Sequence, residues 1–230
     1  LLNRNDENAA SNLVELLMQT RQFEIADSTV DSLLCLFPGS IDLLKDKACI
    51  VSTLGLYTEA IALFKQVVEK GDSSLTTCKN FGNTLFNNGN YPEACFWLRR
   101  YAIDKPDDTD NLFYLALACQ RDYRYEEAIG LLDTVLLQIY NTKSIARTYA
   151  ERGKTYEMYG NYLNFRDSTK TLAKAKYQAS LADRNQSLQF VPDQFEVNLQ
   201  LARMYEKPVV DLKKALAHYQ NCRKLAPENK

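Results

Sequence analysis

The side chains best suited to nucleophilic attack, soft-metal binding or proton transfer near neutral pH are six cysteines and one histidine, His218. Cys35, Cys49, Cys78, Cys95, Cys119 and Cys222 are scattered, with no C-x-x-C pair among them. That spacing suits neither a tetrahedral zinc site nor a disulfide framework. A free cysteine on a packed face behaves as a small hydrophobe, and Cys78, Cys119 and Cys222 are expected in that role. Unpaired cysteines in this number lean towards a reducing, cytoplasmic compartment. His218 has no serine or cysteine partner in a recognised nucleophile motif and is expected to face solvent. Glu126 and Glu127 read as helix-start charges that complement the dipole, and no glycine-rich phosphate loop follows a strand. The sequence therefore predicts a protein that is not an enzyme, with no metal site and no cofactor.

Recognition is the chemistry that remains. The net charge of −1 hides a gradient, with 10 Lys and Arg against 16 Asp and Glu through Asp110, and 18 against 13 from Asn111 onward. Such asymmetry can steer an elongated partner, or it is an accident of solvated side chains. No basic stripe of the kind a nucleic-acid binder needs is present. No apolar run approaches the ~18 residues of a membrane span. The sequence opens on Leu1 rather than Met; both a removed leader, with an extracytoplasmic location, and a larger parent chain are open readings.

The elements that position these residues follow from a self-similarity of 34 residues. Counting from Glu7, Ile41 and Leu75, an apolar residue recurs at Leu17, Val51 and Leu85, and an aromatic at Phe23, Tyr57 and Tyr91. Alanine follows at 26, 60 and 94, a bulky residue at Val30, Phe64 and Leu98, and proline closes two units at Pro38 and Pro106. Apolar residues at i, i+3/i+4 and i+7 line one face of a helix, so each unit is two helices joined by a short turn. Gly55, Gly89 and Gly160 stand where the first helix of a unit is expected to stop, in the left-handed conformation that glycine adopts cheaply. The alanines mark close approach of two backbones. A repeat of this period is the signature of stacked helical hairpins.

This pattern resembles the tetratricopeptide repeat, and the resemblance spans nearly the whole chain. It implies an all-α, right-handed superhelical solenoid of about six stacked antiparallel helix pairs in a single domain. The units fall at 7–40, 41–74, 75–108, 109–145, 146–194 and 195–230. The fourth keeps Leu112, Leu115, Ala116, Tyr125, Ala128 and Leu132 but lacks a closing proline. The fifth places Arg152 where an apolar residue is usual. Its second helix is lengthened and displaced by an insertion from Leu163 to about Lys174, before Ala175, Ala179 and Ala182 resume small-residue spacing. The sixth runs to Pro227.

The resemblance also implies a concave face, lined by the first helix of each unit, along which a partner segment lies. The residues it assigns to that face are Lys79, Asn83, Phe86 and Asn87 in the third unit and Phe113, Tyr114, Leu117 and Arg121 in the fourth. Arg147 and Lys154 follow in the fifth and Arg203 in the sixth. Phe86, Phe113 and Tyr114 are expected as apolar anchors, with Asn83 and Asn87 bonding the segment's backbone. Family members that grip a C-terminal carboxylate use a set of Lys, Asn and Arg that is only partly present here. Lys79, Asn83 and Arg147 match, whereas Tyr114 and Glu151 replace an amide and a cation, and a carboxylate would repel the group to be held. The expectation is a non-catalytic scaffold for a protein or peptide of unknown identity. The alternatives are a self-assembly module using the exposed Leu212, Leu216 and Leu225, or the recognition domain of a larger chain. The basic insertion, with Arg166, Lys170, Lys174, Lys176 and Arg184, is a second candidate for docking.

Overall fold

The computed structural model describes residues 4–166 and 170–226, and among them every regular element is an α-helix. Pro227 and residues 167–169 of the expected insertion lie outside the described residues. The chain divides into two compact units, Leu1–Pro106 and Asp107–Lys230. The first holds α1 (Arg4–Gln19) with α2 (Phe23–Leu36), α3 (Ile41–Thr53) with α4 (Tyr57–Glu69), and α5 (Leu75–Asn87) with α6 (Tyr91–Asp104). The second holds α7 (Thr109–Arg121) with α8 (Tyr125–Gln138), α9 (Thr142–Arg166) with α10 (Thr171–Phe190), and α11 (Phe195–Glu206) with α12 (Leu212–Leu225).

Local chemistry sets these boundaries at the repeat's own spacing. The side chains of Ser40, Ser74 and Asp108, each 34 residues from the next, cap α3, α5 and α7 by accepting from the backbone N–H three residues on. Such a cap stabilises a helix start by about 1 kcal/mol. The turn between the two helices of a pair needs a left-handed residue, and Arg21, Gly55, Gly89 and Tyr123 supply it at φ 58°, 83°, 85° and 61°. Ala26, Ala60, Ala94 and Ala128 are fully buried between paired helices. At Gly82 a Cβ would lie 2.7 Å from Leu98 Cγ, so the absence of a side chain sets how closely α5 and α6 approach.

The fifth pair departs from this scheme. Gly160 does not end a helix; α9 runs through it for 25 residues, and α10 for 20, so both helices are lengthened. Gly160 serves packing instead, since a Cβ there would meet the Tyr177 ring at 2.7 Å. The α9–α10 interface adds buried polar contacts to its apolar packing. Ser180 Oγ donates to the Gly153 carbonyl at 2.6 Å and Ser187 Oγ to that of Ala146 at 2.7 Å. Arg152, at its normally apolar place, is held by Asp183 on α10 and Asp133 on α8. The expected alanine spacing fails for the same reason: Ala175 and Ala182 are exposed, and the close contact runs through Gly153 and Ser180. Ala173, Tyr177 and Leu181 join Val197, Leu201, Met204 and Tyr205 in the core beneath the last two pairs.

Candidate functional site

Within each unit the first helices of successive pairs are tied to one another through their side chains. In the first unit Ser11 donates to Asp46 at 2.8 Å, Ser52 and Thr84 share a 2.8 Å hydrogen bond, and Asn80 Nδ2 reaches Cys49 Sγ at 3.2 Å. In the second, Gln120 Nε2 donates to Thr155 Oγ1 at 2.7 Å. Polar groups placed along neighbouring helices at the repeat spacing meet in this way and fix the face the helices share.

On α5 the spacing of Lys79, Asn83, Phe86 and Asn87 places them along one stripe. Lys79 is half-buried, its ammonium 5.2 Å from the centre of the Tyr101 ring. Phe86 packs edge-on against Tyr91 at 5.7 Å. Asn87 is exposed. The Asn83 carboxamide oxygen is buried and accepts no hydrogen bond from the protein, an arrangement that costs about 1–3 kcal/mol while unsatisfied. Nearby on α3, burial raises the Cys49 thiol to about 11. Burial alone would depress the Lys45 ammonium, but Asp42 at 2.7 Å and Asp72 at 3.6 Å hold it above its usual value.

In the second unit Phe113 is 6% exposed, which removes it from the open surface expected of an anchor. The Arg147 guanidinium lies 4.3 Å from the Phe113 ring centre, a cation–π contact between residues one repeat apart. Tyr114 and Arg121 are exposed and Leu117 is half-buried; Tyr114 stands edge-on to Phe113 at 6.4 Å. Arg147 and Arg203 are exposed, and Lys154 pairs with Glu151 at 3.6 Å. The structure thus brings Phe113, Tyr114 and Arg147 together, and Lys79, Asn83, Phe86 and Asn87 share a stripe of α5, while Leu117, Arg121, Lys154 and Arg203 lie on α7, α9 and α11.

Other expectations are revised. His218 does not face solvent freely. It is half-buried, stacked on Tyr205 at 5.7 Å, with Nδ1 3.0 Å from Asn198 Oδ1. Of the basic residues assigned to the insertion, Arg184 is 3% exposed and bonded to Glu157 at 2.6 Å; its burial lowers the guanidinium pKa. Lys176 sits 4.8 Å from the Tyr159 ring centre and Arg166 4.6 Å from that of Tyr162. Arg184 is therefore engaged within the unit rather than displayed for docking, whereas Arg166 remains exposed. The sequence reading missed Glu157 and Glu196, which flank Lys154. The signal was available in the α9 spacing of Glu151, Lys154, Glu157 and Met158, which puts all four on one side of the helix.

Among the described residues no group of His, Cys, Asp and Glu is placed to hold a metal ion, and no helix is long and apolar enough to cross a membrane. No family model and no curated protein matches the sequence. Solved structures do match. YrrB, a TPR protein with an unusual peptide-binding site, superposes with a TM-score of 0.67 at 18% identity, covering 82% of this chain and 88% of its own. A MamA structure gives 0.65 at 15% identity, covering 82% and 92%. MamA from Desulfovibrio magneticus RS-1 gives 0.51 at 14% identity over 97% of this chain and 96% of that one.

Proposed function

Starting from a chain that has the tetratricopeptide-repeat fold, we propose that it is a non-catalytic scaffold, an array of helix pairs whose first helices bind an extended segment of a partner protein. The Asn83 carboxamide oxygen carries the reading. It is a buried acceptor without a donor on a half-buried side chain, on the same stripe as Lys79, Phe86 and Asn87, and turning the carboxamide outward would give it the backbone N–H of an extended segment as donor. The exposed Tyr114, Arg121 and Arg203 extend the same kind of surface in the second unit. A peptide-binding site in YrrB, a protein of similar fold, supports the assignment.

Panning a random phage-displayed peptide library tests this. Peptides selected on the native chain are expected to weaken about tenfold on Asn83→Ala/Asn87→Ala or Tyr114→Ala/Arg121→Ala. Leu137→Ser, on the exposed side of a second helix, is expected to leave them unchanged. Failure to select any peptide, or equal losses with the Leu137 variant, would overturn the reading.

A second reading, self-association, is favoured by Leu212 and Leu216, which are 66% and 59% exposed on α12. Light scattering that shows a concentration-dependent mass for the native chain, lost in Leu212→Ser/Leu216→Ser, would establish it.

A further inference from the structure

A cavity of about 330 Å³ opens between α9 and α11, floored by α10. Its walls alternate apolar and charged groups: Ala150, Met158 and Val197 on the one hand, Glu151, Glu157 and Glu196 on the other, with Lys154 and Arg184 as the cations. Three carboxylates against two cations leave a net charge of −1 in a space suited to one long side chain.

The hydrogen bonds decide which sign of ligand is accepted. Arg184 is not available to an anion: one terminal nitrogen bonds the Gly153 carbonyl at 3.2 Å and the Ser180 hydroxyl, and the other the Glu157 carboxylate at 2.6 Å. It is 3% exposed and serves to neutralise Glu157. Glu151 is in the opposite condition. Its Oε2 is buried and accepts no hydrogen bond, because the Lys154 ammonium stands 3.6 Å away, within ion-pair range but beyond bonding distance. Glu196 keeps an outward position, receiving Gln200 Nε2 at 2.6 Å. An entering ammonium or guanidinium would find a carboxylate in need of a donor, whereas a carboxylate would find only the Lys154 ammonium, already ion-paired with Glu151, and would be repelled by Glu151 and Glu196. The tetramethylene or trimethylene stem of such a group matches Ala150, Met158 and Val197.

We infer that this cavity is the specificity pocket of the binding face and takes a lysine or arginine side chain of the partner segment, its head group on Glu151 and Glu196. The inference rests on the binding-face reading and deepens it. Lys154 acts as the resident counter-ion that the incoming cation displaces.

Titration of the 15N-labelled full chain with Nα-acetyl-lysine amide tests the inference. Saturable shifts are expected at Ala150, Val197 and Gln200, with the uncharged isostere Nα-acetyl-norleucine amide at least about tenfold weaker. Glu151→Gln is expected to weaken the lysine probe about tenfold, and the rim variant Glu196→Gln to weaken it less. Lys154→Gln is expected to tighten it, an opposite sign that a merely structural pair would not produce. Equal binding of the norleucine and lysine amides, no shift at these residues, or an unchanged affinity in both glutamate variants would overturn the proposal. So would tighter binding of putrescine than of the lysine amide, which would assign the cavity to a free amine. Peptides selected on the native chain that bind without any basic residue would sink this pocket assignment and leave the binding face standing. A lysine probe that seats while no peptide is ever selected would do the reverse.

Discussion

Arg152 grips Asp183 through two parallel hydrogen bonds of 2.7 Å, from Nε and from a terminal nitrogen, while its remaining arm reaches Asp133. The three residues stitch α8, α9 and α10 at a place where the repeat elsewhere uses apolar packing. With side-chain exposures of 18% for Arg152 and 8% for Asp183, the pair is more shielded than a surface ion pair. Removing one partner strands the other's charge, which is costly, whereas removing both need not be. Arg152→Met is therefore expected to cost about 3 kcal/mol in urea denaturation. Asp183→Asn should cost less, because Arg152 keeps Asp133. Arg152→Met/Asp183→Leu should recover most of the loss, and strict additivity of the single effects would contradict the account.

Two glycines in helix interiors are expected to respond oppositely to the same change. At Gly160 a methyl group would collide with the Tyr177 ring, and Gly160→Ala should destabilise by about 1–3 kcal/mol. Gly130, in the middle of α8, has nothing within 4 Å of the position a Cβ would take. Gly130→Ala should stabilise by about 0.5–1 kcal/mol through helix propensity alone. Thermal melts of the two variants check both signs.

Arg21 holds the left-handed turn that glycine holds at 55 and 89, with φ of 58°. Its side chain is exposed, so the backbone preference is isolated from packing. Arg21→Gly is expected to raise stability by up to about 1 kcal/mol, the relief of the left-handed strain less the added freedom of the unfolded chain. A loss of stability in urea melts would show that the arginine side chain contributes something the geometry does not reveal.

The His218 imidazole is half-buried between Tyr205 and Asn198, and burial lowers its pKa. Lys214, 5.3 Å from the Tyr205 ring centre, is the nearby cation that also touches this aromatic pair. Because the folded value lies below the unfolded one of about 6.5, the unfolded chain binds the proton more readily. The contribution is thus present above that pH and lost as pH falls through the folded pKa. His218→Gln is expected to flatten the fall in melting temperature between about pH 7.5 and 5.5. An unchanged slope would mean that other groups govern it.

Thiol labelling separates two cysteines that look alike in sequence. Cys35 is exposed, whereas burial holds the half-exposed Cys49 at about 11. At about pH 8, iodoacetamide should modify Cys35 first and leave Cys49 largely unreacted in the folded chain, since the thiolate is the reactive form. Mass spectrometry of partially labelled protein reads the order directly.

The regular helix pairs were legible because their determinants are local and recur. A serine or aspartate cap, a left-handed turn, a small residue at the helix contact and a bulky one after it are each visible in a few residues. The fifth pair was less legible, since its interface is built in part from Gly153, Ser180, Ser187 and the Arg152–Asp183 pair, polar or small groups that carry no apolar period. Gly160 shows the same ambiguity in miniature: glycine ends a helix or admits a ring against it, and only the partner Tyr177 decides. That Lys79, Asn83, Phe86 and Asn87 share one stripe of α5 was readable from their spacing. The burial of Phe113 was not, because its cover comes from Arg147, one repeat further along. Nor was the cavity, whose Arg184 comes from α10, a second helix outside the positions from which a concave face is ordinarily read.

The identical spacing of Ser40 and Ser74 also bears on how such a chain can grow. Duplication or loss of a segment of 34 residues in this region rejoins a serine to the start of an equivalent helix wherever the breakpoints fall, so the first helix of each pair keeps its cap and the turn after it its left-handed residue. Length is therefore free to vary there by whole copies. In the fifth pair the bonded partners are 31 residues apart at Arg152 and Asp183 and 41 apart at Ala146 and Ser187. Both bonds join α9 to α10 within the one pair, so a breakpoint falling between the partners separates them. That stretch is locked as one heritable block, while its neighbours remain interchangeable parts.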